Sequence, residues 1–212
     1  MKPEIPRATV EAISDLAVLA FQFGRTDRIT CHPDGVTRES DTDHTVMLGL
    51  VACAFAERFV PSLDLGKIAQ FALIHDLVEV YAGDTVTSHA SFSDADHKSK
   101  EEREMAALAR IKNEFDATLP WVGETIDAYE RRDTPEARFV KVMDKALPKI
   151  ANRLNKGVTF KPQGHDRESA TAFLQDQREK IRASYGADQP EALALLELLG
   201  EEMLKEIFPT EG

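Results

Sequence analysis

His75 and Asp76 stand side by side in the apolar stretch Ile68-Ala69-Gln70-Phe71-Ala72-Leu73-Ile74-His75-Asp76-Leu77-Val78-Glu79-Val80-Tyr81. An imidazole and a carboxylate on an apolar face are costly unless something compensates them, and a bound cation is one such compensation. The chain offers further ligand types. His44 falls in the first turn of a helix that follows Asp41-Thr42-Asp43. Asp144 interrupts the apolar face Phe139-Val140-Lys141-Val142-Met143-Asp144-Lys145-Ala146-Leu147. Asp84 follows Gly83 where the His75 segment ends. Glu79, four residues after His75, projects from the same helical face one turn on.

Two imidazoles and two carboxylates make a donor set for a divalent first-row metal with positions left open for water and substrate. No thiolate belongs to the set, which argues against a closed structural zinc site. Glu79, close by and not needed as a ligand, is placed to handle the proton of a water. Taken singly, most of these residues have ordinary uses. His44 can be a satisfied core histidine, Asp144 an ion pair with Lys145, Asp84 a turn residue and Glu79 a solvated carboxylate. His75-Asp76 resists that reading, because apolar residues flank it on both sides. The order His44, His75-Asp76, Asp144 is specific when taken together.

That order resembles the HD-domain metal-dependent phosphohydrolases, over about residues 13–156. Within the superfamily the chain is most similar to the 5′-deoxynucleotidase branch and its eukaryotic HD-domain-containing relatives. The similarity is carried by Arg38-Glu39-Ser40-Asp41-Thr42-Asp43-His44, by His75-Asp76-Leu77-Val78-Glu79-Val80-Tyr81-Ala82-Gly83-Asp84-Thr85, and by Glu136-Ala137-Arg138-Phe139-Val140-Lys141-Val142-Met143-Asp144-Lys145. The resemblance implies that His44, His75, Asp76 and Asp144 bind one divalent metal ion. It implies that Glu79 and Asp84 are the catalytic carboxylates and that Arg28 binds the phosphate, with Arg25 as the fallback. A branch member carries an aromatic residue directly after this arginine, where it reads the sugar. Here the position is Ile29, so a preference for deoxyribose over ribose does not carry over.

The activity implied is hydrolysis of (deoxy)nucleoside 5′-monophosphates to nucleoside and phosphate. Glu79 would orient or deprotonate the water and Asp84 would protonate the leaving 5′-oxygen. Similar HD proteins act as (deoxy)nucleoside triphosphate triphosphohydrolases or as alarmone pyrophosphohydrolases. Those reactions need more basic residues, for which Lys98, Lys100, Arg103 and Lys145 are candidates, although the first three fit a solvated helix face. A degenerate HD domain acting only as a binding module would have lost a ligand or a catalytic carboxylate, and the full set is present. Members of the branch are often dimers, which makes a homodimer the expectation here.

The elements that must position these residues are helical. Spacing of three and four residues predicts helices over 9–24, about 41–59 (capped by Asp41 or Thr42), 64–81, 98–116, 121–131, about 135–155, 167–184 and 189–207. Residues 25–39, 86–97 and 156–166 read as loops, which places His32, His89, His97 and His165 in loops. Pro148 is expected to kink its helix. No convincing strand alternation, internal repeat or linker is found. The expectation is therefore an all-α fold: one HD domain over 1–212, a bundle of seven to eight helices with the C-terminal helices (167–207) packed on the core. The stripe Leu193, Leu195, Leu196, Leu198, Leu199, Met203, Leu204, Ile207, Phe208 is wide enough to face its own domain or a second subunit.

Composition bounds the partners. The 212 residues are 42% hydrophobic and 30% charged, with 37 acidic against 26 basic side chains and a net charge of −11. That balance disfavours nucleic acid as a partner and leaves room for a small anionic substrate held by a local cluster of cations. Cys31 and Cys53 are the only cysteines and no CxxC occurs. With no signal-like apolar segment and no stretch long enough to span a membrane, a cytoplasmic protein without membrane contact is expected. None of GxGxxG, GxxxxGK[ST], HExxH or GxSxG is present, and no extra histidines recur at spacings that would recruit a second metal.

Overall fold

The computed structural model describes residues 4–85, 87 and 93–209. In chain order they form α1 (Arg7–Phe23), β1 (Asp27–Cys31), β2 (Arg38–Ser40), α2 (Asp41–Phe59), α3 (Leu65–Ile74), α4 (Glu79–Ala82), α5 (Asp94–Phe115), α6 (Trp121–Arg131), α7 (Pro135–Leu154), α8 (Arg167–Tyr185) and α9 (Pro190–Ile207). A short 3-10 turn (Lys161–Gln163) precedes α8. The architecture is all-α, as expected, with eight helices of ten residues or more among the described residues and α4 as a single extra turn.

α7 is the central element. Thr134 caps it by accepting from the Ala137 amide and Pro135 opens its first turn, where a missing N–H costs nothing. Its Ala137, Phe139, Val140, Val142, Met143, Ala146 and Leu147 are fully buried. They pack with Leu48 and Ala52 of α2, Ile68 and Ala72 of α3, Tyr129 of α6, and Leu193 and Leu196 of α9. Burying each of the larger side chains contributes roughly 1.5–3 kcal/mol. α7 continues through Pro148 without ending there. A second cluster joins Leu19 and Phe23 of α1 to Ile74, Leu77 and Val78, and to Ile111 and Phe115 of α5. A third, smaller one holds Phe160, Ala170 of α8, and Met203 and Ile207 of α9. Within α9, Leu198 is exposed while Leu193, Leu196, Met203 and Ile207 are buried. No helix among the described residues is long and apolar enough to cross a membrane.

Four local expectations are corrected. Residues 25–39 are not all loop: β1 and β2 pair antiparallel, with Asp27 opposite Ser40 and Cys31 opposite Arg38. The connection is closed by Asp34, whose carboxylate accepts from the amides of Val36 and Thr37, and by Gly35 at φ +70°. Strands of five and three residues are too short for a two-residue period to register. The helix expected over 64–81 ends at Ile74. Residues 75–78 continue as tight turns, with i to i+3 bonds from Leu77 to Ile74 and from Glu79 to Asp76, before α4. The His75 ring also takes the Ala72 carbonyl, which competes for a helical acceptor. α2 is capped by Ser40, not Asp41 or Thr42, through a capping box with Asp43. A second capping box, Ser93 with Asp96, starts α5 at Asp94, so His97 lies in a helix and not in a loop. His89 lies outside the described residues.

Candidate metal centre and active-site cleft

Three elements deliver four ligand-type side chains to one point. α2 contributes His44 from its first turn, the turn after α3 contributes His75 and Asp76, and α7 contributes Asp144 from its middle. One nitrogen or oxygen atom from each lies within 4.8 Å of all the others. His44 Nε2 is 3.1 Å from Asp144 Oδ1, and His75 Nε2 is 2.9 Å from Asp76 Oδ2 and 3.8 Å from Asp144 Oδ1. His44, His75 and Asp144 are almost completely buried.

The orientation of the rings tests whether a cation fits. His75 Nδ1 donates to the Ala72 carbonyl at 2.8 Å, which turns Nε2 towards the two carboxylates. That nitrogen is buried and makes no well-formed hydrogen bond. The other ring is fixed in the same sense: His44 Nδ1 lies 3.0 Å from Glu39 Oε1. Glu39 also accepts from Thr30 Oγ1. An imidazole held through Nδ1 by a carboxylate or carbonyl, with Nε2 aimed at carboxylates, is the arrangement of a metal-ligating histidine. The residues fit a divalent ion. Burial and Arg28 oppose protonation of His44, but its bonds to Asp144 and Glu39 prevail and raise the group to about 9. Burial likewise opposes ionisation of Asp144, yet Lys145, the His44 bond and Lys141 hold it well below the usual carboxylate range.

Arg28 reaches the centre from β1. Its Nη1 lies 3.0 Å from Asp41 Oδ1, 2.9 Å from Asp76 Oδ2 and 3.8 Å from Glu79 Oε2. Lys100 enters from α5, 3.7 Å from Glu79 Oε1 and 2.5 Å from Glu104. Lys145 and Lys141 approach Asp144 Oδ2 at 3.0 and 3.9 Å. These side chains line a cleft of about 430 Å³ that opens over His75, Asp76, Glu79 and Asp84. Burial, with Asp76 and Asp84 beside it, pushes Glu79 up to about 10. Burial also raises Asp84, and raises Asp41 to about 7. The cleft therefore holds carboxyl groups able to carry protons near neutral pH. Asp84 is presented by Gly83, whose φ of +75° and ψ of 143° suit glycine alone.

The structure thus brings His44, His75, Asp76, Asp144, Glu79, Asp84 and Arg28 to one place. Arg25 is exposed in the turn after α1 and stays outside it. Lys98 is solvated beside Glu102, and Arg103 is bound to Ala82, Thr85 and Ser99. Lys100, read from the sequence as part of that solvated face, instead turns into the cleft. A narrower cavity of about 100 Å³ continues on the other side of Asp84 and Asp144, past Ile29, to Lys149, Phe160 and Gln177. Glu39 and Lys141 were given no role by the sequence, and Asp41 only that of a helix cap. Glu39 and Asp41 sit within the quoted motif around His44, and what they touch is set by the hairpin and not by spacing along α2.

The chain is 28% identical over 109 residues to the 5′-deoxynucleotidase hdd1 of Schizosaccharomyces pombe (strain 972 / ATCC 24843), a match that takes in 50% of this chain and 53% of that one. It thus spans about half the length of the curated relative it matches. A solved structure of a predicted metal-dependent phosphohydrolase from Magnetospirillum magnetotacticum MS-1 superposes with a TM-score of 0.73 at 27% identity, covering 94% of this chain and 97% of the other. A conserved hypothetical protein from Pyrococcus furiosus superposes with a TM-score of 0.56 at 26% identity, covering 89% and 97%. Residues 23–184, from the end of α1 to the end of α8, match the HD domain family, and this chain belongs to it.

Proposed function

We propose that this protein is a metal-dependent phosphohydrolase that removes phosphate from (deoxy)nucleoside 5′-monophosphates. The observation that carries the reading is the convergence of His44, His75, Asp76 and Asp144 beside Arg28, Glu79 and Asp84. The similarity to a 5′-deoxynucleotidase supports the substrate class.

His44, His75, Asp76 and Asp144 would hold one divalent ion, which would supply Lewis acidity to the phosphate and the attacking water. Arg28, tied to Asp41 and Asp76 through one terminal nitrogen, offers the rest of its planar fork to the phosphate oxygens. Burial, with Asp76 and Asp84 beside it, raises Glu79, and burial raises Asp84, so this pair of carboxyl groups can carry a proton near neutral pH. Such a pair accepts the proton of the attacking water at one carboxylate as the new P–O bond forms. The protonated partner hands its proton to the 5′-oxygen as the old P–O bond breaks. The cleft's lysines are already committed: Lys100 to Glu104 and Glu79, Lys141 and Lys145 to Asp144. That leaves the ion and Arg28 to balance one phosphoryl group, which favours a monoester over a triphosphate. Ile29, in place of an aromatic, lines the neighbouring cavity and supports activity on ribose and deoxyribose substrates alike.

The test is phosphate release from a panel of ribo- and deoxynucleoside 5′-monophosphates with Mn²⁺, Co²⁺, Zn²⁺ or Mg²⁺. Inorganic triphosphate released from deoxynucleoside triphosphates would favour the triphosphohydrolase reading instead. No release in any metal, from protein shown to hold metal, overturns the proposal. A homodimer and a cytoplasmic location remain part of this reading, and sedimentation velocity checks the first.

A further inference from the structure

The narrow cavity beyond Asp84 and Asp144 differs from the cleft in its lining. Charged side chains crowd the cleft, among them Lys100, Glu101, Glu104, Glu130 and Lys141. The cavity starts from the same Arg28, Asp84 and Asp144, but its walls include Ile29, Phe160, Phe173, Leu174 and Met203. Phe160 and Met203 are almost completely buried. A phosphate at Arg28 thus has two exits for the group attached to it, one charged and one apolar. A neutral heterocycle gains by entering the apolar one. Size narrows the choice. The cavity measures about 100 Å³. An apolar cavity of about 150 Å³ binds one benzene molecule, so space on this scale takes a single ring and not a fused pair.

Two polar groups narrow it further. Lys149 of α7 is 5% exposed, and its Nζ donates to the Lys145 carbonyl and to Gln177 Oε1, both on residues that line the cavity. These partners are neutral oxygens. In its charged form the amine has three protons to donate and accepts none, so one donor is left over. Because lysine only donates in that form, Gln177 of α8 must turn Oε1 towards it, which leaves the NH₂ of the same amide as a second donor beside the first. We propose that this cavity is a nucleobase subsite, that it admits one ring, and that Lys149 with Gln177 selects a pyrimidine with an oxo group at C4 over one with an amino group. The C4 substituent lies across the ring from the bond to the sugar, so it leads into the cavity. Thymine, and uracil likewise, presents an acceptor there, and cytosine presents a donor. A donor facing donors is left unpaired, which is costly. The inference rests on the proposed monophosphatase reading for what brings a base to this place, and deepens it to uridine and thymidine 5′-monophosphates.

The experiment compares kcat/KM of the Mn²⁺-loaded protein for uridine, thymidine, cytidine and adenosine 5′-monophosphates. In parallel, ligand-observed NMR measures binding of uridine, cytidine and adenosine, which carry no phosphate. The uridine and thymidine nucleotides are expected to exceed the cytidine and adenosine nucleotides at least about tenfold. Lys149→Met is expected to bring the uridine-to-cytidine ratio close to one. A purely structural loss lowers both substrates alike and leaves that ratio where it was, and an unchanged ratio overturns the proposal. If Lys149→Met does not fold, Gln177→Leu, at a half-buried position of α8, takes its place. A fall in the same ratio then supports the subsite, and a constant ratio overturns it. Hydrolysis of all four nucleotides without regard to base overturns the subsite and leaves the monophosphatase reading standing. No hydrolysis of any nucleotide, beside a preference for uridine over cytidine in binding that Lys149→Met abolishes, sinks the reaction and leaves the subsite standing. No hydrolysis and no such preference overturns both.

Discussion

Glu39 Oε1 lies 3.0 Å from Nδ1 of His44, and this bond turns the other ring nitrogen towards Asp144. Glu39 is 4% exposed and touches the site only through His44, so it is a positioning residue. Removing such a partner typically lowers metal affinity about 10–100-fold. Glu39→Ala is expected to show a loss of that size in Mn²⁺ titration calorimetry. Glu39→Gln keeps a carbonyl oxygen that can accept from Nδ1, and should recover most of the affinity.

In the proposed reaction Glu79 handles protons rather than binding the metal ion. Glu79→Gln is expected to lower kcat for phosphate release roughly 10²–10⁴-fold while Mn²⁺ content stays at the wild-type value. Loss of the bound ion in the variant would instead make Glu79 a metal ligand.

Gly83 fixes where Asp84 points. An added Cβ would meet nothing within 4 Å, so the penalty for Gly83→Ala is purely a backbone one. Its φ of +75° and ψ of 143° cost an L-residue about 1–3 kcal/mol. Urea denaturation should show that loss, and phosphate release should fall with it because Asp84 is displaced.

Lys149 links stability to pH. It is 5% exposed, and its amine donates to the Lys145 carbonyl at 2.8 Å and to Gln177 at 2.5 Å. Burial, with Lys145 nearby, lowers it to about 7 from 10.5. Between those values the unfolded chain binds the proton that the folded chain has released. Stability from this group therefore rises as pH climbs from about 7 towards 10.5, and its cost is fully present below 7. Lys149→Met removes the dependence. The difference in Tm, wild type minus Lys149→Met, should become more positive from pH 6.5 to 9.5, and a flat difference would contradict the shift.

Chelation should destabilise the protein. Stripping the ion leaves His75 Nε2 and the Asp76 and Asp144 carboxylates facing one another without a cation between them. An ion present at a hundred times its Kd stabilises by about 2.7 kcal/mol. Calorimetry after chelation should show a lower Tm that returns on adding Mn²⁺, and that does not respond to Mn²⁺ in His75→Ala.

Much of this was legible in the chain. His75-Asp76 stood out because ionisable residues are rare within an apolar run, and Asp144 for the same reason. The interruption of the helix at His75 was not legible, since Leu77, Val78 and Val80 continue the apolar pattern through the tight turns. The hairpin was hidden by the shortness of β1 and β2, and with it the contacts of Arg28, Glu39 and Asp41. From the sequence, Asp41 reads as a cap for α2. Only the fold of β1 over that turn shows that Asp41 is buried against Arg28. Lys100 was read as solvated because α5 is charged on most of its surface, and its inward turn follows from how α5 packs on α4.

α7 bears Asp144 and is also the helix on which α2, α3, α6 and α9 rest. Amide exchange along α7 should therefore proceed only through global unfolding, while the β1 amides around Arg28 exchange by local opening. Two clocks follow for one site. Asp144 would release an ion by its own motion only as rarely as the whole core opens, whereas Arg28, proposed to meet the phosphate, would move with each local opening of β1.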